Sequence, residues 1–292
     1  MSDLQPSAEN QVVVRPLNRN DAAQGYALSC EAGWNQNEAD WRFLLETCRG
    51  YGVELPGRGL VGTTMAWELP GNYSWINMVL VRAECRGQGL ARKMMEACLV
   101  DVRAGGRMAL LDATDMGAKV YQKLGFSGEE RIVRMRLEDR SSESTPEDES
   151  IVPLVIEDVT QAAKLDHEVV GIDRRELLVD FQQRLPSAGW VQRDAGGDLR
   201  SFVFGRDGRL AQQVGPIIAP TRMEARSLLM RALSHTSGPV IIDVPEAHDE
   251  WVAELKHLGF VPKRSFIRMG LDRATFDTDW SRYFAICGPD FA

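Results

Sequence analysis

Apolar residues in LARKMMEACLVDV recur at Leu90, Met94, Ala97, Cys98 and Val102, the spacing of one buried helix face. YSWINMVLV (73–81), just upstream, is an apolar run with the composition of a strand. GRGLVGTTMAWELP (57–70) reads as its neighbour in a sheet, joined to it by the turn residues Pro70, Gly71 and Asn72. Earlier still, QVVVRPL (11–17) predicts a strand, and EADWRFLLETCR (38–49) a helix that Asn37 can cap. Beyond the central helix, RMALLDA (107–113) predicts a strand and MGAKVYQKL (116–124) a helix, with Gly125 where a C-terminal cap belongs. The order describes a mixed α/β domain whose sheet is covered by helices.

The pattern then repeats. KLGFSGEERIVRMRL ends at Leu137 and HLGFVPKRSFIRMGL at Leu271, a constant separation of 134 residues. It aligns Leu124, Gly125, Phe126, Arg134, Met135 and Leu137 with Leu258, Gly259, Phe260, Arg268, Met269 and Leu271. Six identities in fifteen positions, each set preceded by a helix-like run, indicate an internal duplication. Between the copies lies EDRSSESTPEDE, a polar, acidic linker. The expected organisation is a flexible N-terminus over 1–10, a first domain over 11–137, a linker over 138–150 and a second domain over 151–292.

A length of 292 residues, 44% hydrophobic, suits two globular domains. The net charge of −8 is concentrated in the linker, which holds six acids and one arginine, so the folded parts carry only about −3. No basic, aromatic-interleaved face suggests nucleic acid as a partner. No apolar run reaches membrane-spanning length, and MSDLQPSAENQ lacks the pattern of a signal peptide. Five scattered cysteines without CxxC spacing point to reduced thiols in a cytoplasm. With four ungrouped histidines, no metal site is expected.

The segment RAECRGQGLA joins a strand to the start of the central helix. Gly87 and Gly89 allow close backbone approach, and helix-start N–H groups with a positive dipole end favour a phosphate. The segment is neither a P-loop nor GxGxxG. Arg86-x-x-Gly89-x-Ala91 resembles the R/Q-x-x-G-x-G/A element of the GNAT superfamily of acyl-CoA-dependent N-acetyltransferases. ALLDATDMGAKVYQKLGF (109–126) is similar to that superfamily's second conserved region. The resemblance covers residues 10–137. Beyond it, GIDRREL, VGPIIAPT and YFAICGPD resemble the divergent C-terminal domain of tandem members of the superfamily. Together with the duplication, this implies two GNAT-like domains in tandem, each a mostly antiparallel twisted sheet flanked by helices.

It also implies acetyl-CoA as cosubstrate. Val79, Leu80 and Val81 would pair with the pantetheine arm, and the backbone of Gly87, Gln88, Gly89, Leu90, Ala91 and Arg92 would hold the pyrophosphate. A plain buried strand over 79–81 fits both roles. Tyr121 matches the superfamily's tyrosine that protonates the departing thiolate, or else is an aromatic packed on its helix. Asp115 stands where many relatives carry asparagine. No glutamate lies on Ser74–Val81, so no base is identified. Trp34 and Trp41 can share a helical face if the helix begins early. Trp34 and Asn35 are candidates for the acceptor pocket, with core packing as the alternative.

Carried across by 134 residues, Arg86, Gly87, Gly89 and Tyr121 fall on Pro220, Thr221, Met223 and Leu255. The second domain therefore lacks the close-approach glycines and the phenol, and is expected to be a degenerate GNAT-like domain. Within it, Asp173 and Arg174 could hold an ammonium and a carboxylate, or form a solvated helix start. The function expected is acetyl transfer to the primary amine of a small molecule. A protein or peptide amine, and a non-catalytic acyl-CoA-binding module, stay open as alternatives. Oligomeric state is not legible.

Overall fold

Where the chain alternates between apolar strand runs and an amphipathic helix, the computed structural model follows the pattern closely; it describes residues 12–128, 130–139 and 148–292. The expected N-terminal tail (1–10) and most of the acidic linker lie outside the described residues. The chain divides into two units. One comprises the residues up to Glu68 together with Ile76–Arg107, the other Leu69–Trp75 and Met108–Ala292.

The first unit runs β1 (Val13–Pro16), α1 (Ala22–Glu31), α2 (Glu38–Thr47), β2 (Cys48–Leu55), β3 (Gly59–Leu69), β4 (Tyr73–Val81) and α3 (Leu90–Ala104), with Leu69 of β3 and Tyr73–Trp75 of β4 counted in the second unit. Its strands lie in chain order, with β1–β2 and β2–β3 antiparallel. A capping box starts α2: Asn37 Oδ1 accepts from the Asp40 N–H at 3.0 Å, and Asp40 Oδ2 accepts from the Asn37 N–H at 2.9 Å. Strand β2 follows α2 directly, so Cys48 and Arg49 are strand and not helix as the sequence pattern suggests. Its two glycines, which dilute the strand signal, have a packing reason. A Cβ at Gly52 would lie 2.5 Å from Leu60, and one at Gly50 would lie 2.9 Å from Met65. The buried face of α3 is Leu90, Met94, Met95, Cys98, Leu99 and Val102. Leu90 and Met94 pack with Val53, Val61 and Cys85.

The second unit contains β5 (Met108–Ala113), α4 (Asp115–Gln122), β6 (Phe126–Ser127), β7 (Arg131–Leu137), β8 (Ile151–Pro153), α5 (Val159–Val170), α6 (Arg175–Arg184) and β9 (Trp190–Arg193). It continues with β10 (Leu199–Arg206), β11 (Gln212–Ile218), α7 (Arg222–His235), β12 (Val240–Pro245), α8 (Asp249–His257), β13 (Val261–Leu271) and β14 (Tyr283–Ala285). The strand order is β5-β13-β7-β12-β11-β10-β9-β8. Tyr73–Trp75, the start of β4, pairs in parallel with Met108–Leu110.

That order exchanges strands between the two sequence copies. Strand β13 of the second copy lies beside β5 of the first, while β7 of the first lies beside β12 of the second. The two exchanged strands also pair with each other. Matching buried ion pairs secure them. Arg134 on β7 donates from Nε and Nη2 to Asp243 at 2.8 and 2.7 Å, and Arg268 on β13 does the same to Asp112 at 2.9 and 3.0 Å. The glycines reciprocate. Gly125 meets Leu271 and Gly259 meets Leu137, each with positive φ. Every residue in this arrangement except the aspartates belongs to the six aligned identities, which gives the duplication a packing rationale.

Candidate active site

In the first unit, β4 carries an irregularity just before the glycine segment. Met78 is buried with φ +49°, a left-handed conformation costly for a side chain of this kind. Its carbonyl accepts a 2.7 Å hydrogen bond from Thr63 Oγ1. Val79 and Val81, which follow, are half-buried and Leu80 is buried. The chain then turns through Arg82–Cys85, where the Cys85 N–H donates to the Arg82 carbonyl at 2.9 Å.

Gly87 and Gly89 both occupy the left-handed region, at φ +76° and +75°. A Cβ on either would meet nothing within 4 Å. Their requirement is therefore conformational, and the space before them is open. Gly89 is the N-cap of α3, so this helix begins with no side-chain cap and no acid in its first turn. Its leading N–H groups and positive dipole end are left for an anion. Cations flank the loop: Arg82 holds a buried Nε without a partner, and Arg92 is exposed beside Glu96 at 2.7 Å. Arg86 is folded back, its Nε donating to the Val81 carbonyl at 3.1 Å. An orphaned buried guanidinium nitrogen, an uncapped helix and two open glycines fit a diphosphate.

In the second unit, Thr114 caps α4 by accepting from the Gly117 N–H at 3.2 Å. One helical turn further on, the Tyr121 ring is 9% exposed and lies 6.1 Å from Phe126. Its hydroxyl takes no hydrogen bond among the described residues. Burial, and secondarily the Asp290 carboxylate, push the phenol well above its ordinary range. It stays protonated at neutral pH. Asp290 belongs to the C-terminal segment, which is buried throughout Tyr283–Ala292. Within that segment Pro289 accepts from the Trp75 indole N–H at 3.1 Å. Neither Asp290 nor the Met78 kink is legible in the sequence, because neither belongs to a local motif.

Comparison with known proteins decides the family. A model of the acetyltransferase (GNAT) family matches residues 19–126, and a model of an acetyltransferase (GNAT) domain matches residues 162–285. The chain belongs to the GNAT superfamily, as two domains in tandem. It is 25% identical over 237 residues to the uncharacterized N-acetyltransferase YitH of Bacillus subtilis strain 168, covering 80% of this chain and 82% of that one. Among solved structures, a Pyrococcus horikoshii protein assigned as an acetyltransferase superposes with a TM-score of 0.77 at 17% identity, over 100% of this chain and 99% of the other. A tandem GNAT protein from the clavulanic acid biosynthesis pathway gives 0.64 at 17% identity, over 89% and 98%. These likenesses establish the fold.

In this tandem GNAT protein the helix of the second domain that corresponds to α3 begins differently. Thr221 caps α7, accepting from the Glu224 N–H at 3.3 Å, and Glu224 places a carboxylate in the first turn. The positions that α3 leaves to an anion are thus filled by the chain itself. Leu255, aligned with Tyr121, is fully buried.

Two expectations for the substrate residues change. Trp34 and Trp41 do not share a helical face, because α2 begins only at Glu38 and Trp34 lies in the preceding turn, its N–H donating to the Ser29 carbonyl at 2.9 Å. Trp41 is core: it is fully buried and its indole donates to Ser29 Oγ at 2.9 Å. Trp34 is half-buried and Asn35 is 2% exposed, so both stay at the α1–α2 connection. Arg174 is not on a solvated helix start. It is 1% exposed, donating to both oxygens of Asp166 at 2.8 and 2.9 Å, to the Tyr283 hydroxyl at 2.8 Å and to the Ala292 carbonyl. These bonds consume the guanidinium in tying the C-terminal segment down. Asp173 beside it is exposed and accepts from the Arg175 N–H at 3.0 Å.

The buried thiols bear on both chemistry and stability. Burial pushes Cys98 and Cys287 up to about 12. Neither supplies a thiolate at neutral pH, as a covalent acyl-cysteine route would need. The unfolded chain releases these protons from roughly pH 8.5, whereas the folded chain keeps them to about 12. Unfolding free energy is therefore expected to fall above roughly pH 8.5, by as much as about 2–3 kcal/mol per pH unit for the two thiols together. Urea unfolding at pH 8 and pH 10.5 checks this; equal stability at the two would contradict it.

Among the described residues no helix is long and apolar enough to cross a membrane, and no group of three or more His, Cys, Asp or Glu is placed to hold a metal.

Proposed function

We propose that the protein is an acetyl-CoA-dependent N-acetyltransferase that acts on the primary amine of a small molecule in the cytoplasm. The observation that carries this reading is the pair of left-handed glycines, Gly87 and Gly89, opening onto an uncapped α3. On this reading the main chain of Gly87, Gln88, Gly89, Leu90, Ala91 and Arg92 holds the pyrophosphate, with Val79, Leu80 and Val81 along the pantetheine arm. When bound, acetyl-CoA supplies the acyl group as a thioester, so no metal is needed to activate it.

The transfer needs the amine nitrogen to lose one proton as it is acylated and the leaving sulfur to gain one; an acceptor that arrives as the ammonium first gives a further proton to solvent. Tyr121 is assigned the second task. Its burial supports the assignment, because a phenol held above its ordinary range is present as the acid. The same desolvation that disfavours a phenolate also raises the proton affinity of a departing thiolate. No residue is assigned the first task. Water can carry that proton.

Trp34 and Asn35 are proposed to line the acceptor pocket, and the C-terminal GNAT domain to serve as a lobe without a second cofactor site. Arg174 is given no part in acceptor recognition. The test is a thiol-release assay with acetyl-CoA across amino acids, polyamines and amino sugars, with a lysine peptide for the protein-acceptor alternative. Saturable turnover on a small amine is expected. Tight acetyl-CoA binding with no turnover on any amine would instead favour a non-catalytic acyl-CoA-binding module. Trp34→Ala is expected to raise the acceptor KM with little change in that for acetyl-CoA. An unchanged acceptor KM and kcat in a folded variant would remove Trp34 from the pocket.

A further inference from the structure

The second unit holds a cavity of about 490 Å³ whose lining includes neither Tyr121 nor the glycine segment. Its wall includes Glu130, Arg268, Arg273, Phe276, Thr278 and Trp280. Arg268 is the unusual member. Only 7% exposed, it commits Nε and Nη2 to Asp112, and its guanidinium lies 4.8 Å from the ring centre of Trp75 and 5.3 Å from that of Trp280. The ion pair and the two indoles fix the guanidinium plane. Its Nη1 is buried and has no hydrogen-bond partner.

A buried donor on a charged group is costly to leave unsatisfied, more so than a neutral one. The equivalent arginine of the first copy, Arg134, has no such orphan; its carboxylate partner Asp243 also receives Gln213 Nε2 at 3.0 Å. Two further charges on the cavity wall are unused. Neither Arg273 nor Glu130 has an ion pair among the described residues, and both are exposed. The wall between them is shaped by close backbone contact, since a Cβ at Gly270 would lie 1.8 Å from the Ala274 carbonyl oxygen.

We propose that this cavity binds a small molecule bearing one carboxylate on a flat apolar body. The carboxylate would be taken by Arg268 Nη1 and the Arg273 guanidinium, and the body would lie against Phe276 and Trp280. A single negative charge suits the site better than a phosphate dianion, because Asp112 already offsets Arg268 and Glu130 stands on the same wall. This inference does not rest on the acyl-transfer reading, and its test is a binding measurement without acetyl-CoA.

Benzoate, phenylacetate and 3-phenylpropionate serve as probes for the full chain, with their amides and inorganic phosphate as controls. Binding is followed by titration calorimetry and intrinsic tryptophan fluorescence. Saturable binding of at least one carboxylate is expected at a Kd of about 1 mM or below, with the amides and phosphate weaker by about tenfold. Arg273→Gln, on an exposed side chain that leaves the Arg268–Asp112 pair intact, is expected to weaken the carboxylate by about tenfold and leave thermal stability unchanged. Arg268→Met is expected to abolish binding; since it also strands Asp112, Arg273→Gln carries the decision. The proposal is overturned if no carboxylate saturates, if the amides bind as well, or if Arg273→Gln binds like the unaltered protein. Any of these would mean that the cavity holds solvent only.

Discussion

A chain ending at residue 149 is expected to lose its cooperative fold. Removing the second copy takes β13 away from β5, and both β12 and β13 away from β7. Asp112 loses Arg268 and Arg134 loses Asp243, which leaves two uncompensated charges at buried positions. Removing one partner of a buried pair costs about 3–5 kcal/mol. Two such losses alone approach the whole stability of a typical domain, about 5–15 kcal/mol. The apolar faces of β5 and β7, with Leu110, Leu111, Ile132 and Met135 buried in the intact chain, would also meet water. The fragment is expected to be insoluble, or to show no cooperative thermal transition by circular dichroism. A soluble fragment with a sharp transition near that of the full chain would contradict the exchanged-strand account. Truncation is thus a poor way to ask whether the C-terminal domain contributes to function; single substitutions on the intact chain are the proper tool.

Tyr121→Phe is expected to lower kcat by about a hundredfold or more, the usual range for a positioned general acid. The KM for acetyl-CoA should hardly move. The substitution deletes only the hydroxyl, and the ring keeps its place beside Phe126 and over Gly117, where a Cβ would approach Tyr121 at 3.1 Å. The pH profile gives a second readout. Because burial holds this phenol above its ordinary value, its ionisation contributes no alkaline limb below roughly pH 10. A fall in kcat near pH 8–9 would therefore report a group other than Tyr121. Steady-state kinetics of folded Tyr121→Phe with the best amine settles the matter: a kcat within about twofold of the unaltered protein would make Tyr121 a packing residue only.

Much of this could be read from local pattern, and what escaped did so for identifiable reasons. The glycine segment and α3 were legible because glycines, a strand end and a 3.6-residue apolar period fall within twenty-odd positions. The duplication was legible from Leu124 to Leu137 against Leu258 to Leu271. Its consequence was not, because an alignment of two copies cannot say whose strand pairs with whose. Arg134 and Arg268 stood out only as identities, while the aspartates that explain them lie 109 and 156 residues away in sequence. Strand β2 was hidden by Gly50 and Gly52. The burial of Arg174 is not legible in the sequence, because arginines are rarely buried unless paired and its partners, Asp166, Tyr283 and Ala292, are not adjacent to it in the chain. The early helix start assumed for Trp34 failed on the strength of the Asn37–Asp40 capping box, a signal that was present and outweighed the spacing of two tryptophans.

The central claim is that one of two tandem GNAT domains keeps a working cofactor cradle. Titration calorimetry of the full chain with acetyl-CoA, counting sites per chain, tests it most directly. The account predicts one site, lost when Gly89 is replaced by valine. That β-branched residue cannot readily adopt the φ of +75° found there, although nothing crowds its Cβ. Two sites per chain, or one site that survives Gly89→Val in a folded protein, would contradict it.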